Sequence, residues 1–189
     1  MTIRKSSRAL LSTVFAALAL TWGIGSPAAE EAEPNACRIA IRAAEVRYDL
    51  PSDLLLAMGM VESGLNPFAI NIAGRPAQPD NVAEAELLLV DVDGKHYRDM
   101  TIGCMQLHAR WHKANFGNRP ERMLDAAANV DYAARYLRHL YEQEGSWRVA
   151  VGRYNAGGKG GRAYNRYICL VDRKLRQLKS ETRLGCESA

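Results

Sequence analysis

Apolar residues recur at helical spacing along most of the chain. Over residues 36–48, Ile39, Ala43, Val46 and Leu50 make a stripe of helical period and predict a first helix. Pro51-Ser52-Asp53 follows, and Ser52 suits an N-cap. The next run, 54–61, is apolar on nearly every side. That predicts a helix at the centre of the core rather than one with a wet face. It stops at Glu62-Ser63-Gly64, and Asn66-Pro67 reads as a turn. Residues 71–80 hold Gly, two Pro and polar side chains and predict a loop. Residues 82–89 predict a short helix. Residues 90–97 alternate around Asp93-Gly94 and predict a β-hairpin. Beyond Met105 helical spacing dominates. Ala128, Tyr132, Tyr136, Leu137 and Leu140 mark one helix over 125–141. A short helix over 147–154 stops at Asn155-Ala156-Gly157-Gly158. A last one over 164–178 carries Tyr164, Ile168, Val171 and Leu175 on one side. The fold class is mostly α (α+β), with one small inserted hairpin and no internal repeat.

The first 28 residues do not fit this pattern. Arg4, Lys5 and Arg8 precede an apolar stretch over 9–20, and Ser26-Pro27-Ala28 puts small residues at a cleavage site. This predicts a signal peptide over 1–28, too short and weakly flanked for a membrane span, and hence a periplasmic protein. A short acidic leader, expected to be mobile, covers 29–35, and one domain covers 36–189. The chain's formal charge is +4, but residues 1–28 hold three basic and no acidic side chains. The remainder therefore has 22 basic and 21 acidic residues, a net +1, and a nucleic-acid partner is not expected. With 48% hydrophobic and 24% charged residues the chain is an ordinary globular one, not a disordered one.

The four cysteines are Cys37, Cys104, Cys169 and Cys186. In an exported protein they predict disulfides, with three full pairings possible. A bridge from Cys37 to the C-terminal pair would tie the chain ends, leaving Cys104 in its apolar run as a buried thiol.

Glu62 is the most informative polar residue. It closes an apolar helix at the negative end of the helix dipole, where both burial and dipole disfavour its charge. A carboxylic acid kept protonated near neutral pH can donate to a glycosidic oxygen. Such chemistry commonly needs a second carboxylate, and Asp80, Asp91, Asp93 and Asp99 are available without any being singled out. Two mechanisms stay open: a two-carboxylate hydrolase, or a one-acid reaction assisted by the substrate. No metal and no cofactor are expected. His108 and His112 lack a third ligand, and Asp91-x-Asp93-Gly94 lacks the closing carboxylate of a calcium loop. Gly157-Gly158-Lys159-Gly160-Gly161 lacks phosphate-loop spacing and a preceding strand.

Four stretches in order complete the picture: Ala57-Met-Gly-Met-Val-Glu62-Ser63-Gly-Leu-Asn66-Pro67-Phe-Ala69, Ile102-Gly-Cys-Met-Gln-Leu107, Asn129-Val-Asp-Tyr-Ala-Ala-Arg-Tyr136-Leu137 and Tyr154-Asn155-Ala156-Gly157. With a weaker match at Tyr164, they span residues 36–178. Together they resemble the soluble lytic transglycosylase (SLT) family of lysozyme-like enzymes. The small exported members that serve secretion, conjugation or flagellar machines are the nearest in appearance.

The resemblance implies a lysozyme-like fold, a helical core with a small β lobe walling a cleft, and peptidoglycan as substrate. It implies that Glu62 protonates the oxygen between N-acetylmuramic acid and N-acetylglucosamine. The same group then takes the proton of the muramoyl 6-hydroxyl, giving a 1,6-anhydro product. It implies substrate contacts from Ser63, Met105, Gln106 and Asn155, and a Tyr154 that hydrogen-bonds Glu62. A monomer is expected. The competing readings are a hydrolytic lysozyme or chitinase using one of Asp91, Asp93 or Asp99, and a non-catalytic wall-binding scaffold.

Overall fold

In a computed structural model, residues 35–186 are described. The predicted signal peptide, all of the leader but Asn35, and the last three residues lie outside them. The elements run α1 (Ala36–Arg47), α2 (Leu54–Glu62), β1 (Ile70–Ile72), β2 (Arg75–Ala77), α3 (Val82–Leu88), β3 (Met100–Ile102), β4 (Leu107–His108) and α4 (Ala109–His112). Two 3₁₀ turns, Lys113–Phe116 and Pro120–Leu124, lead into α5 (Ala126–Glu144), α6 (Trp147–Ala156) and α7 (Gly161–Gln177). This is the mostly helical, lysozyme-like architecture with a small antiparallel sheet that the hydrophobic pattern and the resemblance predict.

α2 is the centre. Leu54, Leu55, Leu56, Ala57 and Met58 are all fully buried. It packs on α1 and α7, while α1 meets α5, α5 meets α6 and α6 meets α7, so the outer helices enclose it. A helix without a polar face has to be surrounded in this way. Enclosure also leaves its first N–H groups without water. Asp53, not Ser52, is the N-cap residue; it makes no capping hydrogen bond and instead pairs with Arg42 at 2.7 Å. The missing acceptor comes from α1, where the buried Glu45 takes the Leu56 N–H at 3.1 Å. Arg42 bridges Glu45 and Asp53.

The buried face of α1 is not the predicted stripe. Ile39 is 59% and Val46 85% exposed, whereas Cys37, Ile41, Ala44 and Glu45 are buried. Both sets have helical period. The choice between them follows from tertiary links, because Cys37 is bonded to Cys104 and Glu45 caps α2. The disulfides also differ from the predicted tie between chain ends. Cys37 bonds Cys104 across 67 residues, and Cys169 bonds Cys186 across 17. Cys104 is buried as expected, but it is oxidised rather than free.

The β lobe is a four-stranded antiparallel sheet in the order β2-β1-β3-β4. Its main hairpin lies in the segment read as a loop. Ala73 and Gly74, both at positive φ, form the two-residue turn between β1 and β2. The predicted hairpin over 90–97 is reduced to a turn with one bridge, Val90 to His96. There the Asp91 carboxylate accepts the Asp93 and Lys95 N–H groups, each at 2.9 Å, and so supports its own loop.

The later helices follow their sequence signals closely. Asp125 and Ser146 accept N–H groups at the starts of α5 and α6. On α7, Tyr164, Ile168, Val171 and Leu175 are all buried. The close approach of α6 and α7 requires a glycine at 152. A Cβ there would lie 2.3 Å from Tyr164 Cε2. Gly152→Ala is therefore expected to destabilise the protein by about 1–3 kcal/mol through overpacking. Urea unfolding measures it as a lower midpoint with unchanged slope.

Candidate active site

Between the helical core and the β lobe lies a cleft of about 720 Å³. Asn71, Thr101 and Gln106 line it from the sheet, and His108, Trp111 and His112 from β4 and α4. Tyr136, Tyr154 and Asn155 line it from α5 and α6. Glu62, at the C-terminal end of α2, is the one carboxylate among the described lining residues. The residue is half-buried.

Burial raises the pKa of Glu62 from the ordinary 4.5 to about 7. One hydrogen bond opposes that rise: Tyr167 Oη donates to Glu62 Oε1 at 2.5 Å. The tyrosine holding Glu62 is thus not Tyr154. Tyr154 Oη donates to the Met105 carbonyl at 2.9 Å. The reason is placement. Tyr154 lies at the end of α6 beside the β lobe, while Tyr167 lies on α7, which packs along α2. Burial, then the neighbouring Glu62 charge, keeps the Tyr167 phenol protonated by raising its pKa well above the usual value. Tyr164, three residues earlier, packs against Gly152 instead. A signal for Tyr167 was present: it is a polar-tipped residue inside the apolar face of α7.

Two other predicted contact residues lie beneath the cleft rather than on it. Ser63 is buried, and its hydroxyl donates to the Cys104 carbonyl at 2.8 Å and accepts the Leu65 N–H at 3.0 Å. Met105 is fully buried, its N–H donating to Asn129 Oδ1 at 2.9 Å. The turn after α2 curls Ser63 back toward the core, and the β3–β4 turn drives the Met105 side chain inward. Gln106 and Asn155 do line the cleft. The Gln106 amide is already engaged: Nε2 donates to the Ala69 and Gly103 carbonyls at 2.9 and 3.1 Å, and Oε1 accepts from Thr101 Oγ1 at 2.6 Å. It presents a braced surface to whatever binds.

The residue that shapes this turn is Asn129. Fully buried on α5, it donates from Nδ2 to the Ile102 and Met123 carbonyls at 3.0 and 2.8 Å while accepting from Met105. Gly103 fits against it at φ +81°, where a Cβ would come within 2.5 Å of Asn129 Nδ2.

The two histidines both line the cleft but turn to different partners. His108 Nε2 lies 3.2 Å from Asp99 Oδ1, and His112 Nδ1 lies 2.9 Å from Tyr132 Oη. Burial lowers the His112 pKa, with His108 adding to the effect, which favours its neutral form. Trp111 between them is 66% exposed on the cleft wall, an indole face open to a ligand. The four aspartates are elsewhere. Asp91 holds its own turn, Asp99 is exposed beside His108, and Asp80 and Asp93 are exposed.

Residues 39–168 match the transglycosylase SLT domain family. The chain is 30% identical over 112 residues to protein IpgF of Shigella sonnei, which covers 59% of this chain and 60% of that protein. The chain thus aligns with less than two thirds of that relative's length. No solved structure matches it.

Two expectations follow from the carboxyl geometry. In Tyr167→Phe the carboxylate loses a donor that favours its charged form, so the Glu62 pKa rises above 7. A carbon-detected NMR titration of the Glu62 carboxyl reads this directly, and an unmoved titration would remove the hydrogen bond from the account. The second concerns stability. The folded pKa lies above the unfolded value, so the folded state binds more protons between 4.5 and about 7. Stability from this group is complete below 4.5 and is lost as pH rises through 7. Glu62→Gln, neutral throughout, is expected to exceed the parent by roughly 2–3 kcal/mol at about pH 8 and to match it near pH 4. Denaturant titrations at the two pH values check it.

Proposed function

The chain belongs to the transglycosylase SLT domain family, and we propose that it is a lytic transglycosylase of peptidoglycan with Glu62 as its single acid and base. The observation that carries this reading is the state of Glu62. It is the one carboxylate among the described residues lining the cleft, and its pKa of about 7 makes both protonation forms accessible near neutral pH.

The reaction needs both forms in turn. Protonated Glu62 gives its proton to the oxygen linking N-acetylmuramic acid to N-acetylglucosamine, and the bond from muramoyl C1 to that oxygen breaks. The resulting carboxylate takes the proton of the muramoyl 6-hydroxyl as that oxygen bonds to C1. Glu62 ends protonated, the leaving sugar carries a free hydroxyl, and the muramoyl end is a 1,6-anhydro sugar. No water is consumed. The substrate's own N-acetyl group stabilises positive charge at C1, so the reaction has no need of a second enzymic carboxylate. Asp91 and Asp99, turned to other partners, leave that role empty.

In this reading Tyr167 is a positioning residue, fixing the Glu62 carboxyl while its phenol stays neutral. Asn155 offers a polar contact along the strand, the engaged Gln106 amide a braced wall, and Trp111 its exposed face to the apolar side of a sugar ring. Two disulfides fit an oxidising compartment, in keeping with export to the periplasm. No helix among the described residues is long and apolar enough to cross a membrane. Service to an envelope-spanning machine is part of the proposal on resemblance to small exported family members alone.

The test is mass spectrometry of the sugars released from purified peptidoglycan, with Glu62→Gln as control. Muropeptides lighter by one water than their reducing-end counterparts are expected from the parent, and a rate loss of at least about 10²-fold from the variant. Reducing-end products from the parent would replace this mechanism with a hydrolytic one.

A further inference from the structure

Across α4 from the cleft lies a second pocket, of about 250 Å³. His96, Arg98, Arg110 and Lys113 line it, and the buried Met100 and Ala109 give it an apolar floor. No carboxylate is among its lining residues. Arg98, Arg110 and Lys113 make no ion pair among the described residues. The nearby acids have other first partners: Asp99 lies 3.2 Å from His108, and Glu121, next to Pro120 of the pocket, pairs with Arg119 at 2.7 Å and acts on His96 rather than on the three cations. Three uncompensated cations around one hollow repel one another and set up a positive potential suited to an anion.

This pocket and the cleft share a wall. Along β3, Met100 faces the pocket and Thr101 the cleft. On the single turn of α4 and the residue after it, Trp111 and His112 face the cleft while Arg110 and Lys113 face the pocket. The Arg110 guanidinium carbon lies 4.8 Å from the centre of the Trp111 ring, joining the two sides at the crest.

Given a peptidoglycan strand as substrate, as proposed above, we infer that this pocket takes the carboxylates of the peptide stem on a muramoyl sugar bound in the cleft. The stem leaves the sugar through its lactyl group and carries several carboxylates. A sugar lying against Trp111 sends its stem over the crest, where Arg110 meets it first and Arg98 and Lys113 lie beyond. An arginine takes a carboxylate through two parallel N–H bonds, and a lysine supplies a compact point charge. The pocket thereby makes the protein selective for strands that still carry stems.

The test uses the double variant Arg98→Gln with Lys113→Gln, which leaves the Arg110–Trp111 contact in place. Two substrates are compared: strands with stems, and strands stripped of stems by an amidase. The variant's KM on stem-bearing strands is expected to rise roughly five- to tenfold, with KM on stripped strands unchanged. The difference shrinks as salt is raised, and Arg98→Lys with Lys113→Arg, which keeps both charges, recovers a KM closer to the parent's than to the double glutamine variant's. Equal losses on both substrates, or a loss on neither, overturn the inference. A binding arm separates it from the catalytic reading. Calorimetry with Glu62→Gln, with and without the two pocket substitutions, compares the same two strands without turnover. A preference for stems that vanishes with the pocket substitutions supports the inference even if the parent cleaves neither strand, in which case only the catalytic reading falls. No preference for stems overturns the inference whatever the cleavage assay gives.

Discussion

α2 has no side that water can wet, and the architecture answers to that constraint. α1 and α7 pack directly on it, and α5 and α6 complete the enclosure. The same enclosure removes solvent from the start of the helix and restricts it at the end, and each end meets the problem differently. At the start, a buried acid on α1 supplies the acceptor that the local sequence lacks. At the end, the last residue is itself an acid, delivered from the core to the edge of the cleft. Desolvation and the negative end of the helix dipole both act against its charge there. The perturbed state of Glu62 is therefore a by-product of burying the six residues Leu54–Gly59 that precede it on the helix.

The opposite wall is held by polar links and a disulfide as well as by the burial of Cys104 and Met105. The turn from Gly103 to Gln106 is gripped by Asn129 from α5, by Ser63 from the end of α2, by Tyr154 from α6 and by the Cys37 disulfide from α1. Buried backbone groups must find partners, and here side chains from α5, α6 and the end of α2 supply them, while α1 adds the covalent link. Two consequences bear on chemistry. Gln106 is fixed in a left-handed conformation on the cleft wall. Tyr154 is committed to a backbone carbonyl, which leaves the carboxyl of Glu62 to Tyr167 on the neighbouring helix.

Much of this was legible in the chain. The apolar run before Glu62 marked both the central helix and the acid at its end, because period and burial are properties of the residue order itself. The α5, α6 and α7 helices were legible for the same reason. What escaped was whatever depended on a partner far away in sequence. The α1 stripe was misread because two sets of residues share the helical period, and Cys104 together with α2 decides between them. Residues 71–80 looked like a loop because strands of three residues leave almost no periodic trace. The resemblance implied cleft contacts from Ser63 and Met105, yet one step along a tight turn points a side chain the other way.

The sequence by itself determined that an acid would close a buried helix, that helices would dominate, and that four cysteines would be available to staple them. Each follows from local order: apolar spacing, a charge at a helix end, residue counts. Only the tertiary structure decided which tyrosine meets Glu62, which cysteines pair, which face of α1 turns inward and which side of α4 gathers the unpaired cations. Those choices depend on distances between residues remote in the chain, such as the 105 positions separating Glu62 from Tyr167. Packing sets such distances, and no periodicity along the chain records them.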